Sequence, residues 1–434
     1  MHQIVRGLVL LSFLLLSYRG TAQNYYNTPY TRYSIGDLTY SGFAVNKAMG
    51  GSSAALRIQN QINYLNPASY TSQDTNSFLF QTAFVAQIVN IHTEQSTDQS
   101  NNMNIDYLAI GFPINRWLNL SAGLVPFSRI QYNFNDIRTI PAVGESTTFE
   151  YSGFGGFNEF YLGGALTIKK MFSVGINLNY LFGSLDRTQT SYLTENTRSA
   201  YLKKSSNYIA SDFYSKIGVQ FHPKIGEKHS FVLGATLDAK ADIDVKIKGK
   251  TIRYNPISGG NTVFADSLEF SIDTPDALVL PNKFTFGASY QLEESLVITA
   301  EMITQDWSGT DIVQSSFEAG KYQSYRFGAD YIPVPLSIRT REEYYKRIHY
   351  QLGGYFTKTY LYYNGTNITD QGVTAGLGLP IKNARKLFTG TTFNVAYQYG
   401  MRGTTDQGLI KENYHFITFG LTLHDFWFLK PKYD

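Results

Sequence analysis

Residues 172–182 read FSVGINLNYLF, in which large apolar side chains alternate with small polar ones. Successive side chains of a strand point to opposite faces, so this segment predicts a strand with one apolar and one polar face. Residues 207–221 and 230–243 repeat the alternation. The polar positions of the quoted strand carry Ser, Gly and Asn, whereas an ordinary protein surface carries Lys and Glu. This pattern is typical of a wall between lipid and a polar interior.

Fourteen segments of this kind are predicted along the chain, each separated from the next by turn-forming residues. They lie at 77–88, 104–112, 117–130, 158–168, 171–183, 207–221, 230–243, 283–292, 296–306, 322–331, 348–362, 371–380, 388–400 and 413–424. The sequence therefore predicts an all-β fold, a 14-stranded antiparallel transmembrane β-barrel.

The connections between these strands alternate in length. Short turns such as 113–116 and 169–170 alternate with long connections, which are 131–157, 184–206, 244–282, 307–321 and 401–412. Short turns on the periplasmic side and long loops on the outside are typical of outer-membrane barrels. The long connection 332–347 does not fit this scheme. Loop 244–282 contains enough apolar residues for a hairpin of its own, which would act as a lid, as a docking site for a partner, or only as a solvated hairpin.

Composition excludes several classes of function. The 434 residues include 16% charged and 15% aromatic residues, no Cys, and a net charge of +3. Soluble domains average about 25% charged residues. The near-zero net charge argues against nucleic-acid binding, and the lack of Cys excludes disulfides and thiolate metal sites. No metal-ligand spacing and no His beside a Ser on one strand face are present, so we expect neither a metal, a cofactor nor an enzyme.

The N-terminus predicts export. A basic start is followed by an apolar run at 7–16 and by the small residues Gly20-Thr21-Ala22, the pattern of a secretory signal peptide. We therefore expect a signal peptide at 1–22, a segment with little alternation at 23–75, and a barrel at 76–434. The middle segment would be either a periplasmic tail or a plug in the barrel lumen. The predicted location is the outer membrane of a Gram-negative bacterium, where lipid surrounds the barrel.

The middle segment carries two motifs in order. Residues 48–56 read AMGGSSAAL, and residues 62–70 read INYLNPASY. These motifs resemble the N-terminal hatch of the FadL/TodX family, outer-membrane transporters of long-chain fatty acids and aromatic hydrocarbons. The positions that match are Gly50, Gly51, Asn66, Pro67 and Ala68.

The resemblance implies a plugged barrel that takes up hydrophobic small molecules by binding them in the lumen and releasing them laterally. A related branch of these barrels serves as accessory subunits of the type 9 protein-secretion system. The alternative function is therefore a non-transporting barrel subunit of a protein-secretion or surface assembly, with a protein partner.

Two sets of residues are candidates for function within the barrel wall. Proline cannot donate to a strand ladder and glycine relaxes it, so a lateral opening is expected near Gly123, Pro126, Gly163 and Gly164. The predicted lumen face carries charges of both signs, including Lys216, Lys240, Glu301 and Arg326. These charges either form cross-strand ion pairs or contact a polar group of a ligand, such as a carboxylate.

Overall fold

The computed structural model describes residues 28–139, 145–169, 171–193, 200–226, 228–256, 262–310, 318–335, 343–363, 365–382 and 388–426. The predicted signal peptide at 1–22 lies outside the described residues. The strands are β1 (Asp37–Leu38), β2 (Ser77–His92), β3 (Thr97–Pro113), β4 (Leu118–Thr139), β5 (Ser146–Ile168), β6 (Phe172–Leu193), β7 (Tyr201–Phe221), β8 (Lys224–Ile225), β9 (His229–Asp238), β10 (Ala241–Pro256), β11 (Thr262–Leu280), β12 (Lys283–Leu292), β13 (Leu296–Asp306), β14 (Glu318–Ala319), β15 (Lys321–Tyr331), β16 (His349–Tyr363), β17 (Thr366–Lys382), β18 (Phe388–Arg402) and β19 (Lys411–Phe426). The described residues also form a short helix, α1 (Ala44–Ala48), and 3-10 turns at Pro29–Arg32, Pro67–Ser72, Tyr344–Arg347 and Asp406–Gly408.

The strands form a closed antiparallel barrel. The first wall strand, β2, pairs with the last, β19, along its whole length from Ser77 to His92. β9 and β10 are two segments of one wall strand, because both pair with β7. β11 and β12 are likewise two segments of the next wall strand. Counted in this way, the described residues form fourteen wall strands, and the predicted barrel is confirmed.

Several strands are longer than the sequence predicts. Most of the predicted loops at 131–157 and 184–206 are strand, and loop 244–282 continues the wall as the β10–β11 hairpin. These extensions form a sheet on the side opposite the short turns, which we call the flap: residues 130–139, 146–157, 184–193, 201–210, 241–256 and 262–280. A strand needs strict apolar alternation only where one of its faces contacts lipid. The alternation in the sequence therefore ends before the strand pairing ends.

The outer face of the wall is an apolar belt. Val174, Ile176 and Leu178 are 39–53% exposed on this face, whereas Ser173, Asn177 and Asn179 of the same strand are buried inside. Strands that present an apolar band outward and polar residues inward are suited to lipid. Among the described residues, no helix is long and apolar enough to cross a membrane.

The described part of the predicted N-terminal segment, residues 28–75, lies in the barrel interior, and we call it the hatch. α1 contacts β16, β17, β18 and β19, and the 3-10 turn at Pro67–Ser72 contacts β4, β5, β6 and β7. Next to the flap, hatch residues Tyr30, Ile35 and Tyr40 join one large apolar cluster with inward side chains of the wall. The hatch is therefore part of the core of the molecule.

Candidate functional site: the hatch and its contacts with the wall

The paired glycines of the hatch lie where its backbone meets the wall. Gly50 and Gly51 have φ angles of 69° and 83°, in the left-handed region that favours glycine. A Cβ on Gly50 would lie 2.6 Å from the carbonyl oxygens of Phe327 and Gly354. The Gly50 N–H donates to the Thr374 hydroxyl at 2.9 Å. Both the turn and the close approach therefore require glycine at position 50.

The Asn-Pro-Ala motif starts the second contact. The Asn66 side-chain oxygen caps the following 3-10 turn by accepting from the Ala68 N–H at 3.1 Å, and Pro67 occupies the first position of that turn. The Asn66 amide also donates to the Ala54 carbonyl at 2.5 Å, which joins the two hatch motifs. Asn66 and Ala68 are fully buried.

The wall meets this motif with glycines of its own. The backbone of Pro67 lies against Gly175, the Asn66 side chain lies against Gly218, and a Cβ at either glycine would overlap the hatch. Gly234 and Gly353 are close to Ala54 and Gly50 in the same way. The sequence analysis does not name these wall glycines as hatch contacts. Their positions on the lumen face of alternating strands are the sequence feature that could have identified them.

Two of the predicted lumen charges hold the hatch. The Glu301 carboxylate accepts the N–H groups of Ser53 and Ala54 at 2.7 and 2.5 Å. The Arg326 guanidinium donates to the carbonyls of Tyr40 and Gly51 at 2.7 and 2.8 Å and lies 3.7 Å from Glu301. Both side chains are buried, so their charges are committed to binding the hatch backbone.

The two lysines in the prediction lie in different surroundings. Lys216 is buried, 3.8 Å from the Asp238 carboxylate and 5.0 Å from the centre of the Tyr64 ring of the hatch. Lys240 is 55% exposed and pairs with Asp242 at 3.3 Å. The structure thus brings Lys216, Glu301 and Arg326 to the hatch, and it places Lys240 away from them.

Further ion pairs fasten the hatch at other points. Arg402 of β18 lies 2.6 Å from Asp37 of the hatch, and 3.7 and 3.8 Å from Glu412 and Asp370 of the wall. Lys47 of α1 lies 2.6 Å from Asp106 of β3. These pairs were missed, because 365 residues separate Arg402 from Asp37 and no local pattern connects them.

The wall ladder is interrupted between β3 and β4. These strands pair from Pro113 and Asn119 up to Leu108 and Leu124, and no further. Beyond that point β4 pairs with β1 of the hatch, Leu38 opposite Ser128 and Asp37 opposite Arg129. We call this interrupted stretch, between residues 97–107 of β3 and 125–139 of β4, the seam. The Arg129 guanidinium bridges it by donating to the Ile105 carbonyl at 3.2 Å.

The four lateral-opening candidates are divided between the two sides of β4. Gly123 pairs with Ala109 one position below the end of the β3 ladder, and Pro126 lies just beyond that end. Gly163 and Gly164 pair with Ser121 and Leu120 in the continuous β4–β5 ladder. Gly163 provides space for Asn177 and for the Tyr70 ring of the hatch, so it contributes to hatch packing.

A cavity of about 180 Å³ reaches from the lumen to the seam. Its lining includes the charged residues Asp37, Lys47, Asp106, Arg129, Arg326 and Arg402. Drug-sized ligand pockets are typically about 300–1,000 Å³ and mostly apolar. The cavity is small by that standard, and its lining is mixed, because the apolar side chains of Leu38, Tyr322, Leu361 and Phe416 lie beside these charged groups. In the described part of the chain, no group of three or more His, Asp or Glu residues could hold a metal.

The lipid-facing belt, the fourteen wall strands and the packed hatch together define an outer-membrane β-barrel with a hatch in its lumen. The sequence profile of the BamG family matches residues 4–434, and the chain belongs to this family. No curated protein matches the sequence.

Solved structures share the fold at low sequence identity. The toluene transporter TbuX of Ralstonia pickettii has a TM-score of 0.58 and 13% identity, covering 88% of this chain and 98% of its own. The toluene transporter TodX of Pseudomonas putida has a TM-score of 0.59 and 13% identity, with 90% and 100% covered. A Pseudomonas aeruginosa FadL homologue has a TM-score of 0.58 and 12% identity, with 90% and 99% covered. The resemblance to the FadL/TodX fold is thereby confirmed, and these neighbours are transporters, not enzymes.

Proposed function

We propose that this chain is a non-transporting barrel subunit of a protein-secretion or surface assembly in the outer membrane. The observation that carries the proposal is the packing of the lumen. Trp307, Tyr322 and Tyr360 of the wall are buried against hatch residues in one apolar cluster. The space that remains beside the hatch is the cavity of about 180 Å³, whose lining includes Tyr322 and Tyr360.

The attachment of the hatch supports the same proposal. Hatch groups bond to the side chains of Glu301, Arg326, Thr374 and Arg402, which lie on four different wall strands. Moving the hatch would break several buried charged contacts at once, each of which costs about 3–5 kcal/mol when one partner is left alone. A lumen of this kind serves as a rigid scaffold, and the surfaces left for function are the flap and the seam.

The assembly state in the native membrane tests the proposal. A tagged chain is extracted from its own outer membrane in a mild detergent, and the mass of the particle is measured by size-exclusion chromatography with light scattering. After the mass of bound detergent is subtracted, we expect a protein mass well above the 48.9 kDa of the single chain, with at least one partner at fixed stoichiometry. A monodisperse single chain after extraction contradicts the proposal.

A second function, uptake of hydrophobic small molecules with lateral release, is favoured by the seam. The ladder ends beside Gly123 and Pro126, where a lateral opening is expected, and Arg129 of the seam lines the cavity. A titration of the purified barrel with a fluorescent fatty acid separates the two functions. Saturable binding that is lost in an Arg129→Trp variant, which fills the seam, supports uptake. Failure to bind, or binding by Arg129→Trp that equals binding by the Ile298→Trp control on the exposed outer wall, opposes it.

A further inference from the structure

The flap ends in a strand with an unpartnered edge. β11 pairs with β10 from Thr262 to Leu280 along one edge. In the described part of the chain, no strand pairs with its other edge over residues 262–274, because the next wall strand, β13, reaches only to the level of Lys283. An edge with unused N–H and C=O groups is a template for another strand.

The inner face of this edge strand is apolar and uncovered. Ile272 lies opposite Ile247, and the Phe270 ring lies over Gly249, so these side chains share the inward face of β10. Leu268, Phe270 and Ile272 are nevertheless 69%, 41% and 52% exposed. The same face of the flap is covered on β4–β7, where Tyr30 and Ile35 of the hatch pack against it. At its β11 end, the inner apolar face of the flap is therefore open in the described structure.

The outer face of the hairpin carries ion pairs. Lys246 lies 3.0 Å from Asp273, and Lys250 lies 2.5 Å from Glu269, across the two strands. The edge strand itself contributes only acidic groups. Residues 262–274 include Asp266, Glu269 and Asp273 and no basic residue. A strand added at this edge would place its own side chains beside these carboxylates.

We propose that the free edge of β11 binds an extended, basic segment of a partner protein, which adds a strand to the flap. Its alternate side chains would be apolar toward Leu268 and Phe270, and basic toward Glu269 and Asp273. Cross-strand pairs of opposite charge stabilise a sheet, and like charges directly opposite destabilise it. A second copy of β11 is disfavoured for that reason, since it would bring acidic residues together. The proposal rests on the assembly function proposed above and names its surface.

Peptide binding tests the edge directly. The probes are fluorescein-labelled octapeptides of sequence KVKVKVKV and EVEVEVEV, with a third probe in which alternate backbone nitrogens of the first are methylated. The partner is the full chain purified in detergent, and the readout is fluorescence polarisation. We expect the lysine peptide to bind roughly tenfold more tightly than either of the others, because they lose the charge pairing or the backbone bonds. Equal binding by the methylated or glutamate peptide overturns the proposal.

Two exposed apolar residues of the flap provide matched variants. Leu268→Lys adds a positive charge to the inner face of the edge, and Ile137→Lys adds one on β4, where the side chain is 62% exposed. We expect Leu268→Lys to weaken binding of the lysine peptide roughly tenfold and Ile137→Lys to change it by less than about twofold. An unchanged affinity in Leu268→Lys contradicts the site.

The same variants separate this proposal from the assembly function. Loss of the partner from native extracts in Leu268→Lys, with the partner retained in Ile137→Lys, supports the β11 site. Retention of the partner in both variants overturns the site and leaves the assembly function standing. A wild-type chain that is extracted alone overturns the assembly function itself.

Discussion

Gly163 and Gly164 are neighbours in β5, yet their missing side chains would enter different surroundings. A Cβ at Gly163 would overlap the Asn177 amide, which also accepts from the Tyr70 hydroxyl of the hatch. A Cβ at Gly164 would meet the Leu120 side chain at 3.2 Å and the Asn119 carbonyl oxygen at an ordinary contact distance of 3.8 Å. Sequence alone marks both as candidates for relaxing the wall, because glycine has no side chain to indicate its face. The contacts show that Gly163 serves the hatch.

Substituting these two glycines tests that difference. We expect Gly163→Ala to destabilise the barrel by about 1–3 kcal/mol, the usual cost of overpacking, because Asn177 must give up its contacts. Gly164→Ala should be nearly neutral, because the Leu120 side chain can move. The measurement is the heating temperature at which half of each barrel runs as the unfolded band in semi-native electrophoresis. Equal midpoints for the two variants would show that Gly163 does not support the hatch.

Glu301 is the buried anion that holds two hatch N–H groups. Glu301→Ala leaves these donors and Arg326 without their partner, so we expect a loss of about 3–5 kcal/mol in the free energy of unfolding. Glu301→Gln keeps one acceptor oxygen and should lose less. The control is Glu293→Ala, since that side chain is 47% exposed and pairs only with Lys228; it should cost under about 0.5 kcal/mol. Urea titration of the three variants gives the ranking, and a Glu301→Ala loss no larger than that of the control contradicts this role.

The strands illustrate what sequence can and cannot determine at the scale of elements. The alternation in 172–182 reports the two faces of the wall correctly, because lipid demands apolar residues on one side. Residues 184–193 continue the same strand without that alternation, so the sequence pattern does not show where the strand ends. Gly123 and Pro126 predict an opening in this part of the wall, but nothing in 97–107 indicates that β3 stops pairing with β4.

Amide exchange in lipid nanodiscs tests the seam. Among the described residues, the β3–β4 ladder ends at Leu108, whereas the β2–β3 ladder continues to Thr97. We expect residues 97–106 to exchange faster than residues 108–112, because local opening is easier where one ladder is missing. β2, which is paired on both sides, is the internal control. Uniform protection along β3 would mean that the seam is closed in the membrane.

At the scale of the molecule, composition and alternation were enough to predict a fourteen-stranded barrel, and two short motifs were enough to place a hatch near its N-terminus. The contacts that hold the hatch were not predictable, because Asp37 and Arg402, or Lys47 and Asp106, come together only when the barrel closes. The packed lumen is the feature on which the proposed function depends. The resemblance to hydrophobic-compound transporters implies a lumen that binds a ligand, whereas most of this lumen is occupied by the hatch.

Native mass spectrometry of the chain, released from its own outer membrane, tests the packed lumen and the assembly function in one measurement. Both the mass of bound protein and the mass of bound small molecules are read from the same particle. We expect a complex with another protein, in which the barrel itself carries no fatty acid or aromatic compound. A single chain that carries such a molecule, and releases it when the barrel is unfolded, would contradict this expectation.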